Sequence, residues 1–288
     1  MENAKKSTPN DLVALSTDTG ANGLISYWRL GGACSAEQLE ARVGGLVKTP
    51  NPAGPVTALK RAVEAVAGPR DIVRRHPKTG YILIEEEVTE DGEHLRHSEG
   101  LHVWWEGTAK EGNLVFNRPH NPLCARVRDS FWYHRTHITS TELSAWLPRV
   151  ACDEFDAVSL RHGGGVYYVP ANCVDAWQQL TGIVSGLTDA KFRSIPALTT
   201  DDAVEAILDA VVAESQRLVA EMERDMERDN IGKRALDTHQ ARCEAFRYKM
   251  QRYERALGLK LDSVRESIDD MTVAIVEKMT VLDGGSDA

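Results

Sequence analysis

The sequence predicts an α+β chain in which a winged-helix-like unit and antiparallel strands precede a C-terminal antiparallel helical hairpin or coiled-coil bundle. Three observations carry this reading. After about residue 200, apolar side chains recur at coiled-coil spacing, most cleanly at Leu236, His239, Cys243, Phe246, Met250, Tyr253 and Leu257, which alternate steps of three and four. Before about residue 195, short apolar runs are separated by Gly-, Pro- and Asp-containing turns. Between about residues 35 and 88 the order is helix, helix, hairpin. The expected boundaries are a flexible N-terminus over 1–20, an α+β domain over 21–195, a helical coiled-coil domain over 200–283 and a flexible tail over 284–288.

Taken in order, Gly23 to Leu30 reads as a strand stopped by Gly31-Gly32. Ser35 is placed to cap a helix to about Val47, with Glu37 and Glu40 near its positive end. After KTPNPAGP a second helix is expected from about Val56 to Val66. Asp71–Arg75 and Tyr81–Val88 read as strands joined by HPKTG, with further strands at His102–Glu106, Asn113–Phe116 and Phe131–Ile138. Thr139-Ser-Thr-Glu142 is a capping box for a helix over LSAWLPRV, which Pro148 should end early. Ala157–Leu160 and Val166–Val169 flank RHGGG as a hairpin, and a helix carrying Trp177 follows from Val174 to Val184.

RSIPALTTDD separates this part from the helical tail, and Thr200 caps the first long helix. That helix presents Val204, Leu208, Val211, Ser215, Leu218, Met222 and Met226 along one face. A turn at Asp229–Gly232 folds the second helix back against it. A third stripe, Leu261, Val264, Ile268, Met271, Ile275 and Leu282, follows Gly258, where a kinked long helix and a separate third helix both fit.

Apolar content of 42% and charged content of 27% over 288 residues describe a globular chain with room for one large domain or two ordinary ones. No apolar run approaches a membrane span, and MENAKKSTPNDL lacks the apolar core of a secretory signal, so cytoplasmic residence is the expectation. Five separated cysteines without CxxC argue against a disulfide framework or a zinc ribbon. The net charge of −9 is concentrated from Asp201 onward, where 20 acids face 13 bases.

The order of GLISYWRLGG, TALKRAV with RDIVRRHPKTGYILIEEE, SAWLPRV and RHGGGVYYVP resembles a family of uncharacterised bacterial, commonly actinobacterial, and phage proteins. The resemblance spans about two thirds of the chain. It implies an N-terminal α+β part and a helical C-terminal part, with no activity or catalytic residue attached. A setting in genome maintenance, defence or counter-defence is implied by this resemblance alone.

Among local constellations, the helix–helix–hairpin order carries Lys60 and Arg61 on the second helix and Arg70, Arg74, Arg75 and Lys78 on the hairpin, against Glu64 and Asp71. Such a patch suits phosphate contact, although KRAVEAVAG has few side chains that read base edges. A zinc set of His120, Cys124, His134 and His137 can be written down, but Pro119 and Pro122 break the helix the first pair needs. If Phe131–Ile138 is a strand, His134 and His137 also point to opposite faces. His94, His97 and His102 sit beside an exposed turn. His239 and Cys243, one helical turn apart, could ligate a metal but fit better as core positions. His162-Gly-Gly-Gly leads into a strand with no Lys following, which suits a turn and not a phosphate loop. Glu85-Glu86-Glu87 reads as an exposed strand end, and one of Trp104 and Trp105 must face outward.

The expected function is therefore non-enzymatic. The chain should oligomerise or bind a protein partner through Leu218, Met222, Leu236, Phe246, Met250, Tyr253 and Leu257, so that Phe246→Asp would reduce an assembly to a smaller species. The alternative is a nucleic-acid-binding accessory protein using Lys60, Arg61, Arg74, Arg75 and Lys78. No cofactor, metal or membrane is expected.

Overall fold

The structure, a computed structural model, describes residues 21–88, 95–97, 100–228 and 231–284. The expected break at Asp229-Asn230 and His94 lie outside the described residues, as do the two expected flexible ends, apart from Gly284. The architecture is the expected α+β one: antiparallel sheets first and a helical C-terminal region last. Two compact units divide the chain, and they are not consecutive halves. The bundle unit takes the described residues up to Arg29, then Pro148–Thr181 and Phe192 onward; the sheet unit takes Leu30–Leu147 and Gly182–Lys191.

In the bundle unit, β1 (Ala21–Arg29) pairs antiparallel with β11 (Val166–Pro170), in a register that sets Gly23 opposite Pro170 and Tyr27 opposite Val166. β10 (Val158–Ser159) continues the sheet beyond β11, and β12 (Lys191–Leu198) flanks β1 on its other side. β12 lies where the sequence suggested only a divider. Pro196 hid it, yet proline is tolerated on an edge strand, where an N–H can face away from the ladder. The glycines joining β10 to β11 adopt left-handed φ values of +87°, +84° and +96°, as a glycine-only turn requires. Trp177, on α5 (Val174–Leu187), is fully buried and donates its indole N–H to Ser26 Oγ at 3.0 Å.

Three helices follow: α6 (Asp201–Met226), α7 (Lys233–Leu257) and α8 (Asp262–Gly284). Thr200 Oγ1 caps α6 by accepting from Ala203 N–H. Gly258 at φ +68° ends α7 in the left-handed conformation, so the last stripe belongs to a separate third helix. Ion pairs record the antiparallel course: Glu221 with Arg242 and Glu214 with Lys249 across α6 and α7, then Arg247 with Asp269 and Glu254 with Arg265 across α7 and α8.

The seam closes inside the chain. Met222, Leu236, Phe246, Met250 and Tyr253 are buried, and Leu218 and Leu257 pack against the same core with Val264, Ile268 and Ile275 of α8. These seven residues therefore do not form an open interface, because the third helix covers the stripe that a partner would need. Phe246→Asp would place a carboxylate in this core and unfold the bundle.

A residue outside the predicted seam, Lys249, is also buried. Its ammonium donates to Glu214 Oε1 and Oε2, both at 2.9 Å, and to the Ala157 carbonyl at 2.8 Å. Beside it Asp156, buried and at φ +52°, meets Arg252 Nη1 at 2.7 Å, while the Tyr253 hydroxyl donates to its carbonyl.

In the sheet unit, β2 (Ala33–Ser35) pairs with β9 (His137–Thr139), and Ser35 Oγ caps α1 (Ala36–Val43), shorter than the expected run to Val47. α2 (Pro55–Val66) leads into β3 (Ile72–His76) and β4 (Gly80–Ile84), a hairpin that continues into β7 (Leu101–Gly107) and β8 (Gly112–Phe116). The short β5 (Glu86–Val88) and β6 (Leu95–His97) pair with each other. Phe131–Ile138 is not a strand: α3 (Leu123–Thr136) buries Cys124, Val127 and Phe131 at helical spacing. α4 (Ser140–Glu154) runs through Pro148, with Leu143, Trp146 and Leu147 buried before it and Val150 and Ala151 after it. Burial on both sides outweighs the hydrogen bond that the proline removes.

Candidate functional site

Strand alternation gives the sheet β3–β4–β7–β8 two chemically different faces. One carries Val73, Tyr81, Leu83, Leu101, Val103, Trp105, Leu114 and Phe116, which pack with α2 and α3 around Ala58, Leu59, Ala62, Val63 and Phe131. The opposite face carries Arg74, His76, Ile82, His102, Trp104 and Val115. Trp105 is thus the inward member of the tryptophan pair, and Trp104 points to the other side.

Strands β3 and β7, on either side of β4, bring His76, His102 and Trp104 together. His76 stacks on Trp104 with ring centroids 5.5 Å apart and planes 10° from parallel. His102 meets His76 edge-on at 5.3 Å. Between His76 and Trp104 in the register stands Gly80. A Cβ there would lie 2.6 Å from Trp104 Cβ and 2.2 Å from the Val103 carbonyl oxygen, so only glycine lets His76 reach across the strand to the indole. Lys78, in the turn after β3, holds Nζ 4.9 Å from the Trp104 ring centre as a cation–π contact, and its backbone N–H donates to His76 Nδ1. That bond makes Nδ1 the acceptor and leaves Nε2 as the protonated nitrogen of the neutral ring. Trp104 Nε1 is buried without an acceptor among the described residues.

The electrostatics suit an anion. From Ile72 to Ile84 there are Arg74, Arg75 and Lys78 and no acidic residue. Both arginines are exposed, Arg74 on the stacked-ring face and Arg75 on the helix side of the sheet. The sheet unit as a whole holds 16 acidic and 15 basic side chains, so most of the chain's −9 resides elsewhere.

The predicted basic set is therefore split. Arg74 and Lys78 share the aromatic face, and Arg75 does not. Lys60 points away from the sheet on α2, 3.7 Å from Glu64. Arg61 is committed to Glu142 at 2.7 Å, with both side chains largely buried. Glu142 also accepts from Thr139 N–H and Oγ1–H, each at 2.7 Å, which closes the predicted capping box. Burial opposes ionisation of Glu142, but these donors together with Arg61 outweigh it and hold its carboxyl below the usual range. The expected reader helix α2 is wedged between the sheet and α3, and the expected wing is the edge hairpin of a wider sheet. Neither has the freedom that a winged helix uses in a groove.

The sequence missed His76, His102 and Trp104 as a group. Their even numbering on β3 and β7 was the available signal, but it acquires meaning only through the cross-strand register. The other constellations do not assemble: among the described residues no three His, Cys, Asp or Glu side chains stand together as metal ligands. His134 lies in α3, His137 ends it, and Cys124 donates its thiol to the Arg118 carbonyl.

A family model matches residues 42–282. The chain belongs to DUF6744, a family of unknown function. Comparison with curated proteins and with solved structures gives no match. This DUF6744 chain has, among the described residues, no helix long and apolar enough to cross a membrane.

Proposed function

We propose that this protein is a non-enzymatic, cytoplasmic nucleic-acid-binding module that takes single strands on the outer face of the β3–β4–β7–β8 sheet. The observation that carries the reading is the near-parallel stack of His76 on Trp104 across Gly80, with Lys78 above the indole and Arg74 on the same face. Aromatic rings on a sheet flanked by cations stack unpaired bases while the cations take phosphates. Among the described residues of the sheet unit no free helix accompanies the face to enter a major groove, which favours single strands over duplex. With the bacterial or phage origin that the motif order implies, such a module serves genome maintenance, defence or counter-defence.

Fluorescence anisotropy with a labelled 12-nucleotide DNA or RNA at low salt tests this. Trp104→Ala should weaken binding by one stacked base, about 1–3 kcal/mol or roughly 5- to 150-fold. Arg74→Glu should weaken it and flatten the salt dependence, whereas Arg75→Glu, on the opposite face, should change it far less. Equal effects of the two reversals, or a preference for duplex, would remove the proposed face from consideration.

A self-assembly reading keeps one observation in its favour, now away from the seam. Val273 and Val276 of α8 are 58% and 47% exposed. If they form a contact between copies, Val273→Asp with Val276→Asp lowers the mass measured by light scattering; an unchanged mass removes it.

A further inference from the structure

We propose, building on the single-strand reading above, that the cavity at the β3–β4 turn receives a terminal phosphate, so that the protein selects the ends of single strands. A cavity of about 420 Å³ opens beside the turn that joins β3 to β4. Arg75 and Lys78 bring two cations to its lining, and Thr79 and Tyr81 bring two hydroxyls. No acidic residue lines it, and among the described residues neither cation has an acidic partner within ion-pair distance. Hydroxyl and guanidinium donors of this kind are what phosphate oxygens accept from. The turn is also fixed in place: the Thr79 carbonyl accepts from Trp105 N–H at 2.9 Å, and Lys78 N–H donates to His76 Nδ1 at 3.1 Å.

Position ties this cavity to the stacked rings. His76 and Lys78 belong to both: the His76 ring stacks on Trp104, Lys78 Nζ stands over the indole, and both residues line the cavity. Arg75 lies on the helix side of the sheet, opposite Tyr81 in the register. The cavity therefore continues from the outer face round the hairpin end, where Val56, in the first turn of α2, forms a further wall. α2 packs against the sheet behind it, so a strand led off the rings into the cavity ends there. Charge then selects the group. A phosphate inside a strand is a diester with a single negative charge, whereas a terminal monoester carries about −1.5 to −2 at pH 7. Two cations without acidic partners gain more from the monoester, and Arg75 offers its oxygens the parallel N–H groups of a guanidinium fork.

The experiment is competition, read by fluorescence anisotropy on the full chain, against a labelled strand without a terminal phosphate. The competitors are unlabelled 12-nucleotide strands of one sequence bearing a 5′-phosphate, a 3′-phosphate or neither. At least one phosphorylated strand should compete roughly ten- to a hundredfold better than the bare one, the gain expected of charged hydrogen bonds. Arg75→Gln should erase that gain and leave affinity for the bare strand close to the parent's; the side chain is exposed, so the fold tolerates the change. Trp104→Ala should weaken all three competitors alike. Equal competition by the three strands, with Trp104→Ala still weakening them, would overturn the end pocket and leave the stacking face standing. A phosphate gain that survives Arg75→Gln would overturn the cavity as its source. Binding of no strand at all would remove the face and the pocket together.

Discussion

Replacing Lys249 with Met isolates the contribution of one buried cation to the bundle unit. The lysine stem and Met have similar volume, so the change removes charge and hydrogen bonds with little loss of packing. It strands the Glu214 carboxylate, which accepts two bonds of 2.9 Å, and the Ala157 carbonyl, which accepts one of 2.8 Å. Breaking one partner of a buried pair costs about 3–5 kcal/mol. The Glu214 side chain is 18% exposed and can recover some hydration, which points to the lower end, about 3 kcal/mol. For a unit of this size that is a fall of roughly 6–12 °C in Tm. Calorimetry of the full chain should show the loss in the transition assigned to the bundle. The pair variant Lys249→Met with Glu214→Leu should regain most of it, because no charge is then left unpaired. If Lys249→Met lies within about 1 kcal/mol of the parent, or if the pair variant is no better than the single one, the ion pair is not what holds α7 to the Ala157 loop.

Other expectations are equally direct. Glu142 has a folded pKa below its unfolded value, so its contribution is present above about pH 4.3 and is lost as pH falls through the folded pKa. Glu142→Gln should therefore lower sheet-unit stability at pH 7 and flatten its dependence on pH in the acid range, as read by urea unfolding at a series of pH values. Gly80→Val should separate His76 from Trp104 and shift tryptophan emission, since its Cβ meets the Val103 carbonyl and the Cβ that carries the indole of Trp104; an unchanged spectrum would contradict the stacking geometry.

Local chemistry made several elements readable from sequence alone. The Thr139–Glu142 box, the Thr200 cap and the hairpin across HPKTG each depend on side chains within a few residues of one another, whereas Gly258 left a kink and a stop both open until the structure showed α7 ending there. The failures were of other kinds. Phe131-Trp132-Tyr133 favours strand by residue type, but Cys124, Val127 and Phe131 share a helical stripe that packs in the sheet unit's core, and tertiary burial prevailed. The coiled-coil stripes were visible, but what covers them was not: a heptad reports that a face is buried, and α8 turned out to supply the cover. Lys249 carried no signal, because its acceptors on Glu214 and Ala157 are brought to it only by the fold. The platform of His76, His102 and Trp104 needed a register that no single strand contains.

The way the bundle unit is threaded has a consequence for synthesis on the ribosome. β1 leaves the tunnel before the other described strands, but its ladder partner β11 begins at Val166, 137 positions after Arg29, and β12 comes later still. At about 5–20 residues per second, the strand waits roughly 7–27 s for its first neighbour. During that interval nearly all of the sheet unit emerges and can close on itself. The first made of the described strands is therefore among the last to be paired, and a nascent chain stalled before Val166 would display it unpaired to whatever chaperone or sister chain is at hand.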